Sequence, residues 1–383
     1  MKRWLVGSLL VVLAGVILAG VLLVNVINGN RDPIAVLEEF GAKHEKEYAV
    51  RTIERNEKGE VVVVNLDGAS ISPLSRQLLF EISRGFGRPD RLLSDADLVH
   101  LKGLTKLESL SLYDTAITDA GLVHLKGLTN LQALSLWNTR ITDAGLVHLK
   151  GLTNLQTLDL RDTAFTGTGL VHLKEMTRLG TLDLRGTAIT DAALLHLEGL
   201  TNLQALSIDG WVADAVHLKQ LTNLQTLDLS YAEITDAGLV HLKGMTNLQA
   251  LDLSYTTTTK ENRPGQEITD AGLVHLKGMT QLQKLDLSGW WITDAGLVHL
   301  KGLTQLQSLS LINTGIHDAG LVHLKGLAQL QSLDLARTQI TDAGLVHLKK
   351  LTELQDLRLK GTKVTDAGVA DLQKALPNCK ITK

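Results

Sequence analysis

The chain has 383 residues, with 38 lysines and arginines against 41 aspartates and glutamates and a formal net charge of -3. This near balance excludes a general electrostatic affinity for nucleic acid, because that affinity comes from cationic side chains that neutralise phosphates. A single cysteine, Cys379, excludes an intrachain disulfide framework. Internal repetition predicts one continuous body rather than the two or three domains that the length alone allows.

The chain begins with a long apolar segment that carries no charge between Arg3 and Arg31. An α-helix over residues 5–24 would be about 30 Å long, which matches the hydrocarbon thickness of a bilayer. The segment is long for a cleaved signal peptide, and Leu18-Ala19-Gly20 is a poor cleavage site. We therefore expect residues 1–30 to form a single-pass transmembrane anchor. The basic amino terminus then stays in the cytoplasm and the rest lies on the extracytoplasmic side. The alternative is a signal peptide and a secreted protein.

Residues 31–92 are expected to form an N-terminal cap. Pro33 opens an amphipathic helix, and two strands follow around the turn NEKG. The stretch VVVVNLDGASI matches a degenerate first repeat of the array described next. Because a repeat array needs an atypical terminal unit to cover its first layer, we assign this region to the cap.

A 24-residue unit recurs through residues 93–383, and ITDAGLVHLKGLTNLQALSLWNTR at residues 117–140 is one copy. We number each unit from the leucine that opens its LxxLxL motif, so that Leu131, Leu134 and Leu136 hold positions one, four and six. The alternation in xLxL predicts a short strand with one buried face. Position nine is usually threonine, whose hydroxyl we expect to satisfy backbone groups in the turn after the strand.

The second half of the unit, TDAGLVHLKGL, predicts a helix of about two turns. Thr118 or Asp119 can cap its amino terminus, and Gly127 stands where a left-handed residue commonly ends a helix. So short a helix does not persist alone, and its leucines are expected to pack against neighbouring units. Near the carboxyl terminus, LPNCKI fits positions one to six and places Cys379 in the core of a terminal cap.

The pattern LxxLxLxxTxITDAGLxxL resembles a leucine-rich repeat of the cysteine-containing type, with threonine in the position that gives that class its name. Close copies behind an apolar segment are similar to large bacterial leucine-rich repeat families. The resemblance covers residues 61–383. It implies an α/β fold, a right-handed leucine-rich-repeat solenoid with a curved parallel sheet inside and short helices outside. An N-terminal cap and a transmembrane helix complete the expected architecture.

Eleven histidines recur at one position of the unit and raise the question of a metal site. A zinc ion needs ring nitrogens about 2.0–2.1 Å away and usually further ligands, whereas each unit supplies one histidine without a neighbouring cysteine or carboxylate. We therefore expect no metal and no other cofactor, and we interpret the histidines as copied parts of the unit. They are His100, His124, His148, His172, His196, His217, His241, His275, His299, His323 and His347.

Aspartates recur at position five, on the solvent-facing side of the predicted sheet. They include Asp228, Asp252 and Asp286 in three successive units. Neighbouring strands lie about 4.8 Å apart, so paired aspartates repel each other by about 1 kcal/mol in a water-like dielectric. One interpretation is a hydrated polar face of a consensus strand, and the other is a preference for cationic partners.

Three departures from the unit are expected to carry function, because stacking already explains the shared residues. One unit is ten residues longer than the others and carries TTTTKENRPGQE after Tyr255, whose composition predicts an exposed loop. A second unit is three residues short and carries Trp211 at position nine. A third carries Trp290 and Trp291 at positions nine and ten.

Most aromatic residues of the units fall at positions seven to ten, along an edge that we call the aromatic rim. Tryptophan and tyrosine are frequent anchors of protein-binding hot spots. Internal packing is the alternative for the tryptophans. The predicted partner-binding residues are Tyr113, Trp137, Trp211, Tyr231, Tyr255, Lys260, Arg263, Trp290, Trp291, Asp228, Asp252 and Asp286.

Enzyme signatures are lacking, because the sequence contains no P-loop motif, no HExxH and no GxSxG. We therefore predict a non-enzymatic, membrane-anchored recognition protein that binds another macromolecule, most simply a protein, through its concave face and aromatic rim. A cell-envelope scaffold that uses the histidine and lysine rows of the convex face is one alternative. A substrate-recognition adaptor like the F-box leucine-rich repeat proteins is another, although no F-box-like segment is evident.

Overall fold

The computed structural model of the chain describes residues 52–56, 58, 61–65, 94–210, 212–254 and 268–383. The expected anchor, the helix after Pro33 and most of the expected cap lie outside these residues. Within the described part, no helix combines the length and the apolar composition that crossing a bilayer requires.

A single sheet contains all fourteen described strands, and its strand order follows chain order. The first two strands pair antiparallel, as predicted around the NEKG turn, and the later pairings are parallel. The sheet is curved and open, which confirms the parallel sheet of a repeat solenoid, while the right-handed sense stays a prediction. The strands are β1 (Thr52–Arg55), β2 (Val61–Asn65), β3 (Ser109–Ser111), β4 (Ala133–Ser135), β5 (Thr157–Asp159), β6 (Thr181–Asp183), β7 (Ala205–Ser207), β8 (Thr226–Asp228), β9 (Ala250–Asp252), β10 (Lys284–Asp286), β11 (Ser308–Ser310), β12 (Ser332–Asp334), β13 (Asp356–Arg358) and β14 (Lys380–Thr382).

We call each repeat of the folded array a layer. Each layer contributes one leucine at position four, and these leucines attach the sheet to the core. Leu134 lies opposite Leu110 on one side and Leu158 on the other. Together with positions one, six and eleven they form one continuous hydrophobic core that reaches Cys379, whose predicted core placement is confirmed. Burial of each leucine contributes about 1.5–3 kcal/mol. Because that burial needs a neighbouring layer, the repeats stabilise one another.

The connecting helical segments span about two turns in most described repeats, as predicted, but most of their helices are 3-10 segments of three to seven residues. A 3-10 helix rises about 2.0 Å per residue, so it returns the chain toward the next strand with few residues. The α-helices are α1 (Asp119–Leu122), α2 (Asp191–Leu194), α3 (Asp236–Leu242), α4 (Asp342–Leu345) and α5 (Asp366–Ala375). The 3-10 helices are Asp95–Leu101, Val123–Leu125, Asp143–His148, Thr168–Leu173, Leu195–Leu197, Val216–Gln220, Gly272–Gly278, Gly296–Leu300, Gly320–His323 and Val346–Leu348.

The left-handed residue of each repeat follows the strand and not the helix. The prediction for Gly127 is wrong, because its φ lies outside the left-handed region. The chain leaves the helix through another tight turn, in which the Leu128 N–H donates to the Leu125 carbonyl, so no left-handed cap is needed. Position eight is left-handed instead, with φ from 51° to 86° in the described repeats between Asp114 and Gly361.

Threonine at position nine closes the turn that position eight begins. The Thr139 hydroxyl donates to the carbonyl oxygen of Leu136 at 2.6 Å, and Thr115 and Thr163 make the same bond in adjacent layers. An unpaired buried carbonyl at this place would cost about 1–3 kcal/mol. The predicted role of this threonine row is therefore confirmed.

The aspartate of TDAG links each layer to the next, a role that the sequence did not suggest. The Asp119 carboxylate accepts hydrogen bonds from the Thr142 backbone N–H at 2.8 Å and from the Thr142 hydroxyl at 2.6 Å. The same threonine oxygen accepts from the Ala144 N–H and so caps its own helix, as predicted for this position. The paired bonds recur at Asp95–Thr118, Asp236–Thr269, Asp270–Thr293, Asp318–Thr341 and Asp342–Thr365.

This aspartate also explains the glycine of TDAG. A Cβ atom added at Gly145 would lie 2.3 Å from Oδ1 of Asp119, far inside van der Waals contact. The chain contains one natural exchange of this pair, in which Gly167 replaces the aspartate and Ala193 replaces the glycine of the following layer. A Cβ atom added at Gly167 would lie 2.4 Å from the Cβ atom of Ala193. Only one member of each pair can therefore carry a side chain here.

Replacing Gly145 with alanine is therefore expected to destabilise the fold by about 1–3 kcal/mol, as overpacking does in other well-packed sites. Asp119→Gly alone should also destabilise, because it removes two hydrogen bonds to a carboxylate. The double variant should lose about 0.5–3 kcal/mol less free energy of unfolding than the two single losses added together. Urea denaturation of the four proteins measures this coupling free energy.

The matched control is Gly127→Ala, because a Cβ atom there meets nothing within 4 Å. Its free energy of unfolding should stay within about 0.5 kcal/mol of that of the parent chain. Equal losses for Gly145→Ala and Gly127→Ala would contradict the steric explanation.

Candidate macromolecular recognition surface

The exposed side of the sheet carries positions three, five and seven, and we call it the inner face. At position five the strand register brings Asp228, Asp252 and Asp286 into three adjacent layers of β8, β9 and β10. All three carboxylates are half-buried. The structure thus brings together the three aspartates that the sequence singled out.

Toward the amino terminus the acidic row is neutralised within the chain. Arg161, at position seven, donates two hydrogen bonds to Asp159 at 2.9 and 2.7 Å. Arg185 does the same for Asp183 and also reaches Asp228 at 3.1 Å. Hydrogen bonds to these carboxylates raise the pKa of both arginines. This part of the inner face is therefore internally compensated.

In the central layers serines replace these arginines at position seven. The backbone N–H groups of Ser254 and Ser288 donate to Asp252 and Asp286, each at 2.8 Å. Among the described residues no cation forms an ion pair with Asp252 or Asp286, since the pairs on this face end at Asp228 and Asp334. Burial raises the pKa of Asp252, and the charges of Asp286 and Asp228 raise it further. Within the described residues these two carboxylates therefore lack a direct ion-pair partner, although Lys284 lies on the same strand face as Asp286.

Two predicted contact residues on the aromatic rim are strongly exposed. Tyr231 is 53% exposed and Trp291 is 67% exposed, in layers that flank the Asp252 strand. Tyr231 also holds the left-handed position eight, at a φ of 60°. A bulky residue rarely adopts this conformation, because its Cβ crowds the backbone. The fold thus presents a tyrosine ring at a place where glycine or asparagine would be less strained.

Trp290 corrects the expectation that both adjacent tryptophans lie on the exposed rim. Its side chain is only 3% exposed, and its indole N–H donates to the carbonyl oxygen of Leu253. That carbonyl belongs to position six. In regular layers the position-six carbonyl accepts a hydrogen bond from the threonine hydroxyl at position nine. Trp290 is therefore a packing residue, and a surface contact with a partner is excluded by its burial.

Tyr113 and Trp137 lie in the first two regular layers, away from the central aspartates. Their ring centroids are 4.3 Å apart, and the Arg161 guanidinium lies 4.0 Å from the Trp137 ring centroid. The Trp137 N–H donates to Asp162 at 2.8 Å. Both rings are half-buried, so this stack forms a second and more rigid part of the rim. The remaining predicted contacts, Trp211, Tyr255, Lys260 and Arg263, lie outside the described residues.

The histidine row lies on the helical side, half-buried between an exposed valine row and an exposed lysine row. Burial and the nearby Lys126 lower the pKa of His148, and burial and Lys301 lower that of His323. Within the described residues no three potential ligands are close enough to hold a metal ion. The sequence did not single out the valines, which include Val123, Val147 and Val298.

The same substitution is expected to destabilise the fold at Trp290 but not at Trp291. Trp290→Phe removes the hydrogen bond to Leu253 and part of a buried ring, so it should reduce the free energy of unfolding by about 1–3 kcal/mol. Trp291→Phe changes an exposed ring and should stay within about 0.5 kcal/mol of the parent chain. Urea denaturation followed by circular dichroism measures both, and a larger loss for Trp291→Phe would reverse this assignment.

Comparison with known proteins places the chain in a family. A family model described as a leucine-rich repeat region matches residues 106–380. No curated protein matches the chain significantly in sequence. An internalin (inlF) from Listeria monocytogenes is 23% identical, with a TM-score of 0.62 over 90% of this chain and 93% of the internalin. A leucine-rich repeat protein of Leptospira interrogans is 21% identical, with a TM-score of 0.55 over 74% of each chain.

A third solved structure, a TLR13–ssRNA13 complex, is 21% identical, with a TM-score of 0.51 over 69% of this chain and 41% of that chain. At these identities the solved structures support the fold alone. The family model spans well over half of the 383 residues. The chain therefore belongs to the leucine-rich repeat family.

Proposed function

We propose that this chain is a non-enzymatic recognition protein that binds a partner protein through the central inner face and the adjoining aromatic rim. The observation that carries the proposal is that Asp252 and Asp286 lack an ion-pair partner among the described residues, while Tyr231 and Trp291 are exposed in the layers on either side of Asp252. The partner segment is one that carries lysine or arginine side chains.

Charge is the first argument for this partner chemistry. Arg161 and Arg185 compensate the earlier aspartates, whereas the central layers leave like charges adjacent and partly desolvated. An opposite charge about 4 Å away contributes about 1 kcal/mol in a water-like dielectric and more where solvent is excluded. A cationic side chain of a partner would relieve the repulsion that the chain itself leaves in place.

The aromatic side chains and the rigidity of the scaffold are the second argument. Exposed tyrosine and tryptophan next to polar groups are typical anchors of protein interfaces. The backbone of Tyr231 holds a strained left-handed conformation while its ring is exposed, and such backbone strain commonly accompanies functional sites. Because the sheet is held layer by layer, little ordering is required when a partner binds.

Cellular placement and subclass belong to the same proposal. Residues 5–24 would anchor the chain in a membrane and hold the array on the extracytoplasmic side. The threonine row at position nine supports assignment to the cysteine-containing type of leucine-rich repeat, with threonine in the position that gives that type its name.

Other functions are less well supported by the described surface. One similar structure is a complex with single-stranded RNA. The acidic central face here would repel phosphates rather than neutralise them, which disfavours the same ligand. A cell-envelope scaffold or an adaptor role would place the contacts elsewhere than on this face, and the variants below distinguish those outcomes.

Partner capture tests the aromatic rim. Full-length chain purified from solubilised membranes should retain one or a few proteins, and Tyr231→Ala combined with Trp291→Ala should reduce that retention at least tenfold. The matched control is Val147→Ala with Val298→Ala, which removes exposed apolar side chains from the helical side. Mass spectrometry of the retained proteins gives the readout. Loss in the valine variant but not in the aromatic variant would favour the scaffold alternative.

A second variant tests the charge argument alone. Ser254→Arg places a cation at position seven beside Asp252 and Asp286, as Arg161 is placed beside Asp159 and Asp183. This variant should capture about tenfold less partner. Ala336→Arg is the matched control, because it adds the same charge at position seven beside Asp334, which already has Arg358 within 3.7 Å. Equal capture by the Ser254→Arg chain and the parent would rule out a cationic partner segment.

A further inference from the structure

A polar groove lies on the edge of the sheet opposite the aromatic rim, where the chain enters the strands. Its volume is about 620 Å³, within the range of ligand sites in proteins. We call this edge the amide rim. Its lining consists of asparagine, glutamine and threonine side chains only, above all Asn202, Gln204, Asn223, Gln225, Asn247 and Gln249.

No charged side chain lines the groove. The neighbouring Arg178 lies on the same edge, but its guanidinium donates to the Asn154 side chain at 2.8 Å. Position two of that layer is Gly180, so the row of glutamines is interrupted there. The groove therefore has no charge with which to select an ionic ligand.

The asparagines and the glutamines of the groove have different roles. Asn202, Asn223 and Asn247 each donate a side-chain N–H to a threonine carbonyl one layer earlier, at 2.6, 2.8 and 3.0 Å. The asparagines therefore hold the loops of the amide rim in place. They form the rigid wall of the groove.

The side-chain amides of Gln204, Gln225 and Gln249 make no hydrogen bond with any described residue, and all three side chains are exposed. They belong to consecutive layers, so their Cα atoms are separated by the strand spacing of about 4.8 Å. Three free amides therefore stand in a regular row along the groove, and each offers donors and an acceptor to a ligand.

We propose that this groove binds a neutral oligosaccharide. A sugar hydroxyl both donates and accepts a hydrogen bond, which matches the free amide of a glutamine. Successive rings of an extended β-1,4-linked oligosaccharide advance by roughly one strand spacing. Neighbouring rings are turned over relative to each other, but each ring carries hydroxyl groups on both edges, so each amide of the row can meet a hydroxyl of one ring. An extended peptide advances by about 3.3 Å per residue and falls out of register with the row.

The groove is independent of the recognition surface proposed above. It lies on the opposite edge of the same central layers, and none of its lining residues belongs to the inner face or to the aromatic rim. Binding to the two surfaces can therefore be tested with separate variants.

The test uses full-length chain in a detergent without a sugar headgroup. Hexamers of β-1,4-linked glucose, β-1,4-linked N-acetylglucosamine and β-1,4-linked mannose are the probes, and saturation-transfer NMR and calorimetry detect binding. At least one hexamer should bind the parent chain. Gln204→Ala, Gln225→Ala and Gln249→Ala together should weaken that binding at least tenfold.

The matched control combines Gln307→Ala, Gln331→Ala and Gln355→Ala, which hold the same position two in layers outside the groove. Its affinity should stay within about twofold of the parent. The proposal is overturned if no hexamer binds, if both triple variants lose affinity equally, or if neither does. Tighter binding of a galacturonate hexamer or of an uncharged glycine–serine peptide would also overturn it.

Discussion

The whole structure depends on the one-to-one register between successive layers. Each layer is too small to bury its own leucines, so position four of one strand must lie against position four of the next. The hydrogen bonds from threonine to the aspartate of the preceding layer hold the helical side in the same register. A register error of one residue would move the leucines to solvent and separate these donors from their acceptors. The repeated residues are thus explained by contacts between copies.

Because stacking occupies positions one, four, six, nine and eleven, binding chemistry is confined to the remaining positions. On the inner face, the exchange of Arg185 for serines at position seven changes a compensated surface into an acidic one without touching the core. On the amide rim, glutamines at position two provide free amides while the adjacent asparagines hold the loops. The two proposed surfaces therefore share one scaffold and differ only in residues that do not support it.

Much of the fold could be predicted from the sequence, because periodic leucines and threonines report directly on burial and turn chemistry. Gly127 was harder, since glycine after a short helix suits several turns, and only the backbone shows that the left-handed residue is at position eight. The link between Asp119 and Thr142 could not be predicted from either residue, because both also suit helix caps. Its signal was the paired change at Gly167 and Ala193, which breaks the pattern in two successive units.

The candidate site was only partly predictable for a related reason. Position nine and position ten differ by one residue, yet Trp290 is buried and Trp291 is exposed, since the backbone turns between them. The central aspartates were identified by their spacing, but whether each carboxylate has an ion-pair partner depends on which cationic side chains lie within reach. Glutamine recurs at position two of most units, so the sequence did not single these residues out, and their grouping in a groove appears only when consecutive layers are seen together.

The exchange at Gly167 and Ala193 also bears on how such an array can change its length. Most junctions between units carry the same acceptor and donor, so recombination within the gene could add or delete whole copies and each new boundary would close normally. The unit that contains Ala193 is different, because its methyl group tolerates only a predecessor without the carboxylate. A deletion or insertion that separated these two units would place a methyl group against a carboxylate, so this boundary is less permissive than a regular one.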